Sequence, residues 1–402
     1  MKKTILVTAT TFPRSKEDAE GPFVLELSRC LAERGYRVLV LVPHAPGARR
    51  KERMGSLTVF RFPYFWPTRL QQLCYAGGII PNMERSFLAK LQVPFLVLSE
   101  ILAVRHHLRT QKIDVIHAHW IIPQGFVAAL LKLFYHVPYV VTAHAGDIFP
   151  LHSGILKLFA RFSIKHSDFC TVNSVATGKA VSAVEKHPHQ EVIPMGIDPS
   201  VFCPGKADQT LKRRYGIRGP LLLNIGRLAE KKGLRYLLKA MPSVLRKHPS
   251  AKLMLVGGGP ERKTLDDLAV SLDVKDAIIF VDKIPNKDLP RYYQTADLFI
   301  LPSIITSQGD TEGLGVVLLE SLACRCPVVA SDVGGIGDII KHAKTGLLFP
   351  QKDPVRIAET VNRMLADPVF RKQLADAGHH HVLKHFTWNI VADKFDRIFS
   401  CL

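Results

Sequence analysis

Short apolar runs alternate along the chain with longer stretches whose apolar residues recur at helical spacing. Thr4–Thr8 reads as a buried strand, and Phe23–Arg34 as a helix that stops before Gly35, a residue suited to the position just past a helix end. Val38–Val42, Val115–His117 and Tyr139–Thr142 are further strand-like runs, with a helix predicted over Phe126–Tyr135. The second half repeats this plan without repeating the residues. Its strands are predicted at Pro220–Ile225, Lys252–Val256, Ile278–Val281, Leu298–Leu301 and Pro327–Ala330, and its helices at Leu234–Arg246, Glu261–Leu272, Leu289–Thr295 and Val316–Cys324. Short buried strands between helices predict parallel sheets covered on both faces, an α/β fold. Ile193–Gly219, broken by Pro194, Gly196, Pro199, Pro204, Gly205 and Gly216, reads as the connection between two doubly wound halves. Halves of this kind facing each other across a cleft would present ligands at the carboxyl ends of their strands.

Composition narrows the picture. A length of 402 residues exceeds what one hydrophobic core usually organises, so two domains are expected. The net charge of +19 is spread over both halves and suits an anionic partner: nucleic acid, an anionic membrane or a phosphorylated substrate. No helix-turn-helix, zinc-finger or RNA-binding aromatic motif accompanies that charge, so a nucleic-acid-binding role rests on charge alone. The seven cysteines are odd in number and scattered, as expected of free thiols in a reducing compartment rather than a disulfide framework. Met1–Val7 is too short an apolar run for a signal peptide. Val93–Val104 contains Glu100, and Ile121–Val141 contains Lys132 and His136, so neither reads as a membrane span. A cytoplasmic location follows, with contact at the inner membrane face left open.

Three glycine-rich turns carry the candidate chemistry. Gly226-Arg227 through Lys232-Gly233 follows a strand and precedes a helix; backbone can approach a ligand there, and two cations suit a diphosphate. A solvated basic turn is the plainer alternative. Gly257-Gly258-Gly259-Pro260 could cradle a phosphate or nucleoside, or simply turn the chain tightly. Glu312-Gly313-Leu314-Gly315-Val316 leads into an apolar helix that carries Glu320, about two turns inside it. Carboxylates accept hydrogen bonds from vicinal hydroxyls, and the N–H groups of Gly313, Leu314, Gly315 and Val316 suit an anion or a sugar oxygen. In the first half, His144-Ala145-Gly146-Asp147 and the His117, His119, Trp120 group each follow a strand; His144 could bond a sugar hydroxyl or phosphate oxygen, with His119 and Asp147 as acceptor-side or supporting residues. No third histidine or acid has metal-ligand spacing, so no metal is expected. His379-His380-His381 reads as a solvated helix end.

In this order the segments resemble the retaining glycosyltransferases of family 4, whose two-Rossmann-domain architecture is called GT-B. The resemblance rests on Glu20-Gly21-Pro22-Phe23, His144 to Asp147, Val192 to Asp198, Asn224 to Arg227, Lys232-Gly233, Val256 to Pro260, and the Glu312–Glu320 pair, and it spans nearly the whole chain. It implies an acceptor-binding domain over 1–195, a nucleotide-sugar domain over 196–386, and a helix at about 387–402 packing back on the first. It implies that Arg227 and Lys232 hold the donor diphosphate, that Gly21 lies near the phosphates, and that Glu320 binds the ribose. Glu312 and the N–H groups after it would contact the transferred sugar, with His144 nearby. The base would rest near Phe280-Val281, with Gly257 also on the donor side, although Asp282 stands where the family often has glycine. The implied reaction moves a hexose from a UDP- or GDP-sugar to a hydroxyl of a glycan or lipid-linked acceptor, with retention and without a cofactor or metal. Ser307–Glu312 resembles the subset that builds exopolysaccharides or lipid-linked glycans. A sugar-nucleotide epimerase on the same plan is the alternative. Residues 49–69 mix Arg49, Arg50, Lys51, Arg53, Arg61 and Arg69 with Phe60, Phe62, Tyr64, Phe65 and Trp66; they suit an anionic membrane surface, or a strand whose aromatics pack inward.

Overall fold

The computed structural model describes residues 2–14, 22–75, 78–151 and 154–402. Glu20 and Gly21 lie outside the described residues. The chain forms two compact units, 1–194 with 388–402, and 195–387.

The first unit is built on an eight-stranded sheet. Its strands are β1 (Thr4–Thr8), β2 (Arg37–Pro43), β3 (Lys51–Met54), β4 (Leu57–Phe62), β5 (Val115–His119), β6 (Tyr139–Ala143), β7 (Phe169–Val172) and β8 (Gln190–Val192). They lie in the order β3-β4-β2-β1-β5-β6-β7-β8, parallel throughout except for the β3–β4 hairpin at the edge. The second unit has a six-stranded parallel sheet of β9 (Leu221–Ile225), β10 (Lys252–Val256), β11 (Ile278–Val281), β12 (Leu298–Leu301), β13 (Val328–Ser331) and β14 (Leu347–Phe349), in the order β11-β10-β9-β12-β13-β14. In both, the strand order reverses beside the first strand, the doubly wound pattern that places ligands outside the carboxyl ends at the reversal.

Burial explains why these segments became strands and helices. β1 and β9 are buried at every position, as strands covered on both faces must be. The helix Leu234–Lys247 buries Leu234, Leu237, Leu238, Met241 and Val244, a 3-4 spacing that keeps one stripe on the sheet. In the first unit, Pro22–Glu33 and Trp388–Cys401 cover one sheet face; Phe87–Thr110, Phe126–Tyr135 and Gly154–His166 cover the other. The terminal helix is fixed by Arg34 to Asp393 at 2.7 Å and by Lys2 and the Tyr36 hydroxyl to Asp396, each at 2.7 Å.

Three expectations change. The connection is shorter than Ile193–Gly219: from Met195 the chain belongs to the second unit, where Ile197, Phe202, Leu211 and Ile217 enter the core. His379-His380-His381 is only partly solvated, with His380 exposed. It lies inside the helix Pro368–His385, where buried His379 bonds the Ala323 carbonyl through Nδ1 at 2.9 Å. The basic–aromatic stretch 49–69 is only partly a surface. Arg61 is buried, donating to the carbonyls of Arg49 (3.0 Å) and Pro13 (2.8 Å) and pairing with Glu52 at 2.6 Å. Phe62 and Tyr64 are buried too, leaving Trp66 as the exposed aromatic of that segment.

Candidate active site

In the second unit the strand order reverses between β9 and β12, and the glycine turns gather at the carboxyl ends of these strands. After β9, Gly226 has φ +153°, and a Cβ there would sit 3.5 Å from Lys232 Cε, so the lysine side chain lies across this glycine. Gly233, with φ +62°, ends the short turn Glu230–Lys232; a Cβ on it would meet the Pro302 carbonyl oxygen after β12. The turn is thereby clamped against the neighbouring loop, with the Ile304 N–H donating to the Lys231 carbonyl at 2.8 Å.

This clamp delivers Lys232 Nζ to Glu312 Oε2 at 2.5 Å, where the Ser303 hydroxyl also donates at 3.2 Å. Burial alone would raise the Glu312 pKa. The charges of Lys232 and Lys231 and the hydrogen bonds from Lys232 and Ser303 outweigh it and hold the carboxyl below its usual range. Lys231 pairs with Asp310 at 3.2 Å. The Glu312 carbonyl accepts from the Gly335 N–H at 3.0 Å, and a Cβ on Gly334 (φ +55°) would collide with that same oxygen. Glu312 is therefore fixed at side chain and backbone together. Arg227 differs: it is exposed and makes no ion pair among the described residues.

The helix Val316–Ala323 starts at Gly315, whose φ is +85°. Its first N–H groups lack intrahelical acceptors, as in any helix. Glu320 is the fifth residue of this helix, so it lies about one turn inside, not two. The Tyr293 hydroxyl donates to its Oε2 at 2.6 Å, and burial raises its pKa to about 7 against that bond and the Lys232 charge.

The glycine run after β10 has a structural reason. A Cβ on Gly257 would overlap the Gly226 carbonyl oxygen, and one on Gly259 the Leu228 carbonyl oxygen, so the two turns touch backbone to backbone. The N–H groups of Gly226 and Leu228 complete the contact, donating to Val256 and Gly258 at 2.9 and 3.0 Å. Val281 ends β11, its carbonyl accepting from the Gly257 N–H at 2.8 Å; beside it the Arg262 guanidinium covers the Phe280 ring at 3.9 Å. Asp282 is exposed.

In the first unit, the ends of β5 and β6 bring the histidines together. His119 Nδ1 and His144 Nε2 are 2.9 Å apart, with rings stacked at 5.2 Å. Asp147 accepts the N–H of Ile121 at 2.7 Å and of His144 at 2.9 Å, joining the two loops. Trp120 (φ +76°) and Phe23 close over His144, at ring distances of 5.0 and 4.8 Å. Burial drives the pKa values of His117 and His144 down to about 3 and that of His119 well down, and raises Asp147 to about 6. The histidines are thus neutral hydrogen-bonding groups at neutral pH. His144 Nδ1 is buried without a partner. Among the described residues no group of three or more His, Cys, Asp or Glu is placed to hold a metal ion.

Comparison with known proteins gives this geometry a family. The profile Glycosyltransferase Family 4 matches residues 21–201, and Glycosyl transferases group 1 matches 208–381. The chain is 32% identical over 307 residues to an uncharacterized glycosyltransferase of Methanocaldococcus jannaschii, covering 73% of this chain and 76% of the relative. The chain belongs to glycosyltransferase family 4. It is a glycosyltransferase of the GT-B fold. Sucrose-phosphate synthase from Thermosynechococcus elongatus shares that fold, with TM-score 0.80 at 22% identity over 99% of this chain and 98% of that one. The GDP-mannose-dependent alpha-(1-6)-phosphatidylinositol monomannoside mannosyltransferase of Mycolicibacterium smegmatis is 36% identical over 213 residues, 52% of this chain and 56% of the relative.

Sequence reasoning named the charged members of the site and missed their supports. Tyr293 and Ser303 carry no motif. The Val333-Gly334-Gly335 turn offered a signal in its paired glycines, which follow a strand as the other turns do.

Proposed function

We propose that this glycosyltransferase moves a hexose from a UDP- or GDP-sugar to a hydroxyl of a glycan or lipid-linked acceptor, with retention and without a metal. The observation that supports it is the Lys232–Glu312 pair at 2.5 Å, set over Gly226 beside the start of the Val316–Ala323 helix. A lysine held by a carboxylate is pre-positioned; an arriving diphosphate competes for its ammonium, and Arg227 is free to join it. In this reading the leaving diphosphate is stabilised by Arg227, Lys232 and the helix N–H groups, which is electrostatics and positioning rather than covalent catalysis. Glu312 and the N–H groups of Gly313 to Val316 fix the sugar, and Glu320 takes the ribose hydroxyls through the carboxylate oxygen that Tyr293 leaves free. Gly257 and Val281 border the base. His144, oriented by His119 and Asp147, contributes a neutral hydrogen bond on the sugar side. The acceptor hydroxyl attacks the face the diphosphate leaves, its proton passing to the departing phosphate oxygen. A cytoplasmic enzyme resting on the inner membrane face suits a lipid-linked acceptor. The mannosyltransferase relative is named for a phosphatidylinositol monomannoside acceptor, and the Anabaena protein HepE, of the same fold at 18% identity and TM-score 0.74, was solved with UDP-glucose.

The test is a panel of UDP-, GDP- and ADP-sugars with the purified chain in chelator, following nucleotide release and the anomeric configuration of the product by NMR. One donor should be used selectively, with configuration retained. An inverted product, or activity that appears only with added divalent metal, would sink the mechanism.

A further inference from the structure

The helix Phe87–Thr110 presents two faces, one buried and one exposed and apolar. One, through Ala89, Gln92, Leu96, Glu100, Val104 and His107, is buried against the first unit's sheet. The other consists of Phe87, Leu91, Phe95, Leu98 and Leu102, exposed by 74, 49, 50, 54 and 52% and spaced four, four, three and four apart on one side of the helix. The stripe continues over neighbouring helices. Arg105 Nε donates to the Tyr135 hydroxyl at 3.2 Å, linking it to the helix Phe126–Tyr135, where Phe134 is exposed. The Phe126 and Phe159 rings, 4.8 Å apart, link that helix in turn to Gly154–His166, where Ile155 and Leu158 are exposed. An exposed apolar area shared by three helices exceeds what scattered surface leucines account for.

Charge identifies what covers it. The exposed positions of these three helices include Lys90, Arg109, Lys157 and Lys165, none in an ion pair among the described residues. The only acid in the three segments is Glu100, which is buried beside Gln124, with its pKa raised by burial to about 8. A second copy of a chain with net charge +19 would bring like charges together. Nor does the helix cross a membrane here, because Gln92 ties its other side to the domain, donating to the Leu70 carbonyl at 2.7 Å and accepting from the Gln72 N–H at 3.3 Å. We infer that this three-helix face, rather than residues 49–69, is where the enzyme lies on an anionic lipid bilayer, its apolar stripe seated at the level of the headgroups and its cations against lipid phosphates. The inference goes beyond the donor and acceptor proposed above and does not depend on them.

The test is co-sedimentation of the full chain with phosphatidylcholine vesicles, with and without phosphatidylglycerol, at low and at physiological salt. Wild type should bind only the anionic vesicles, more weakly in salt. Phe95→Gln/Leu98→Gln and Lys157→Glu/Lys165→Glu should each cut the bound fraction about tenfold with unchanged melting, whereas Arg53→Gln/Trp66→Gln should bind as wild type. The inference is overturned if wild type fails to sediment, or if only the Arg53/Trp66 variant loses binding. It is equally overturned if wild type is a dimer by light scattering that the Phe95/Leu98 variant dissociates, with vesicle binding unaltered. Nucleotide release from soluble donor, measured without vesicles, separates the two proposals: binding without release supports the docking face and overturns the donor reading, and release without binding does the reverse.

Discussion

The two candidate centres solve opposite electrostatic problems. In the second unit, the ion pair with Lys232 holds the mostly buried Glu312 carboxyl below its usual range, and Arg227 stands exposed and unpaired among the described residues. In the first unit, His117, His119 and His144 are packed so that burial keeps them neutral, tied by Asp147 and roofed by Trp120 and Phe23. One centre is poised to receive negative charge. The other offers orientation without charge. In the proposed function, leaving-group stabilisation falls to the first kind and sugar positioning to the second.

The sharpest way to break this contrast is Lys232→Ala. Removing it should lower kcat/KM by about 100- to 1,000-fold, the scale of one preorganised electrostatic contact. It also leaves Glu312 buried and unpaired, so the melting temperature should fall as well, by an amount that Lys232→Ala/Glu312→Gln partly restores. An active Lys232→Ala enzyme would remove the diphosphate role. Arg227→Ala should give a smaller loss, about tenfold to a hundredfold in kcat/KM, with unchanged melting because the side chain is exposed and makes no ion pair among the described residues. A drop in stability equal to that of Lys232→Ala would erase the distinction between the two cations.

In the first unit, Asp147→Asn replaces an oxygen that accepts from Ile121 or His144 by an amide donor, and should cost about 1–3 kcal/mol in denaturant unfolding. If stability is unchanged while activity falls, Asp147 acts on a ligand rather than on the loops.

The smallest effects concern pH, and the buried histidines and the buried carboxyl groups should respond with opposite sign. His144 and His117 have depressed folded pKa values, near 3, so the unfolded chain binds more protons below about pH 6.5; their contribution to stability is lost as pH falls through that window. Glu320 and Asp147 have raised values, about 7 and 6, so the folded chain binds more protons; their contribution falls as pH rises from about 4 toward 7. Thermal melts between pH 4 and 8 should show His144→Phe flattening the acid limb and Glu320→Gln flattening the neutral side. Nucleoside diphosphate binding should tighten as pH rises through about 7 in wild type, when Glu320 becomes a full acceptor, and should be flat in Glu320→Gln.

The central strands were legible because they are buried on both faces and read as unbroken apolar runs. Lys252–Val256 and Leu298–Leu301 were predicted with the boundaries the structure shows, as was the edge strand Ile278–Val281. The edge at β3 was not. β3 is Lys-Glu-Arg-Met, with three of its four residues polar; it pairs antiparallel with β4, whose buried Arg61 meets Glu52 at 2.6 Å. Within the site, Glu312, Lys232 and Arg227 announced themselves by charge beside glycine. Tyr293 and Ser303 did not, since neither stands in a motif and each reaches its carboxylate by folding from another element.

By itself, then, the sequence determined the alternation of strand and helix, the two-unit plan and the residues able to meet a phosphate or a hydroxyl, because periodicity and residue chemistry are local properties. Tertiary structure alone decided that Lys232 meets Glu312 across 80 residues, that glycine at 257, 259 and 334 is a requirement of backbone touching backbone, and that Arg61 lies inside while Phe95 lies outside. Those outcomes depend on which element packs on which. Pattern specifies that a stripe is apolar, whereas only the packed neighbours decide whether it is covered.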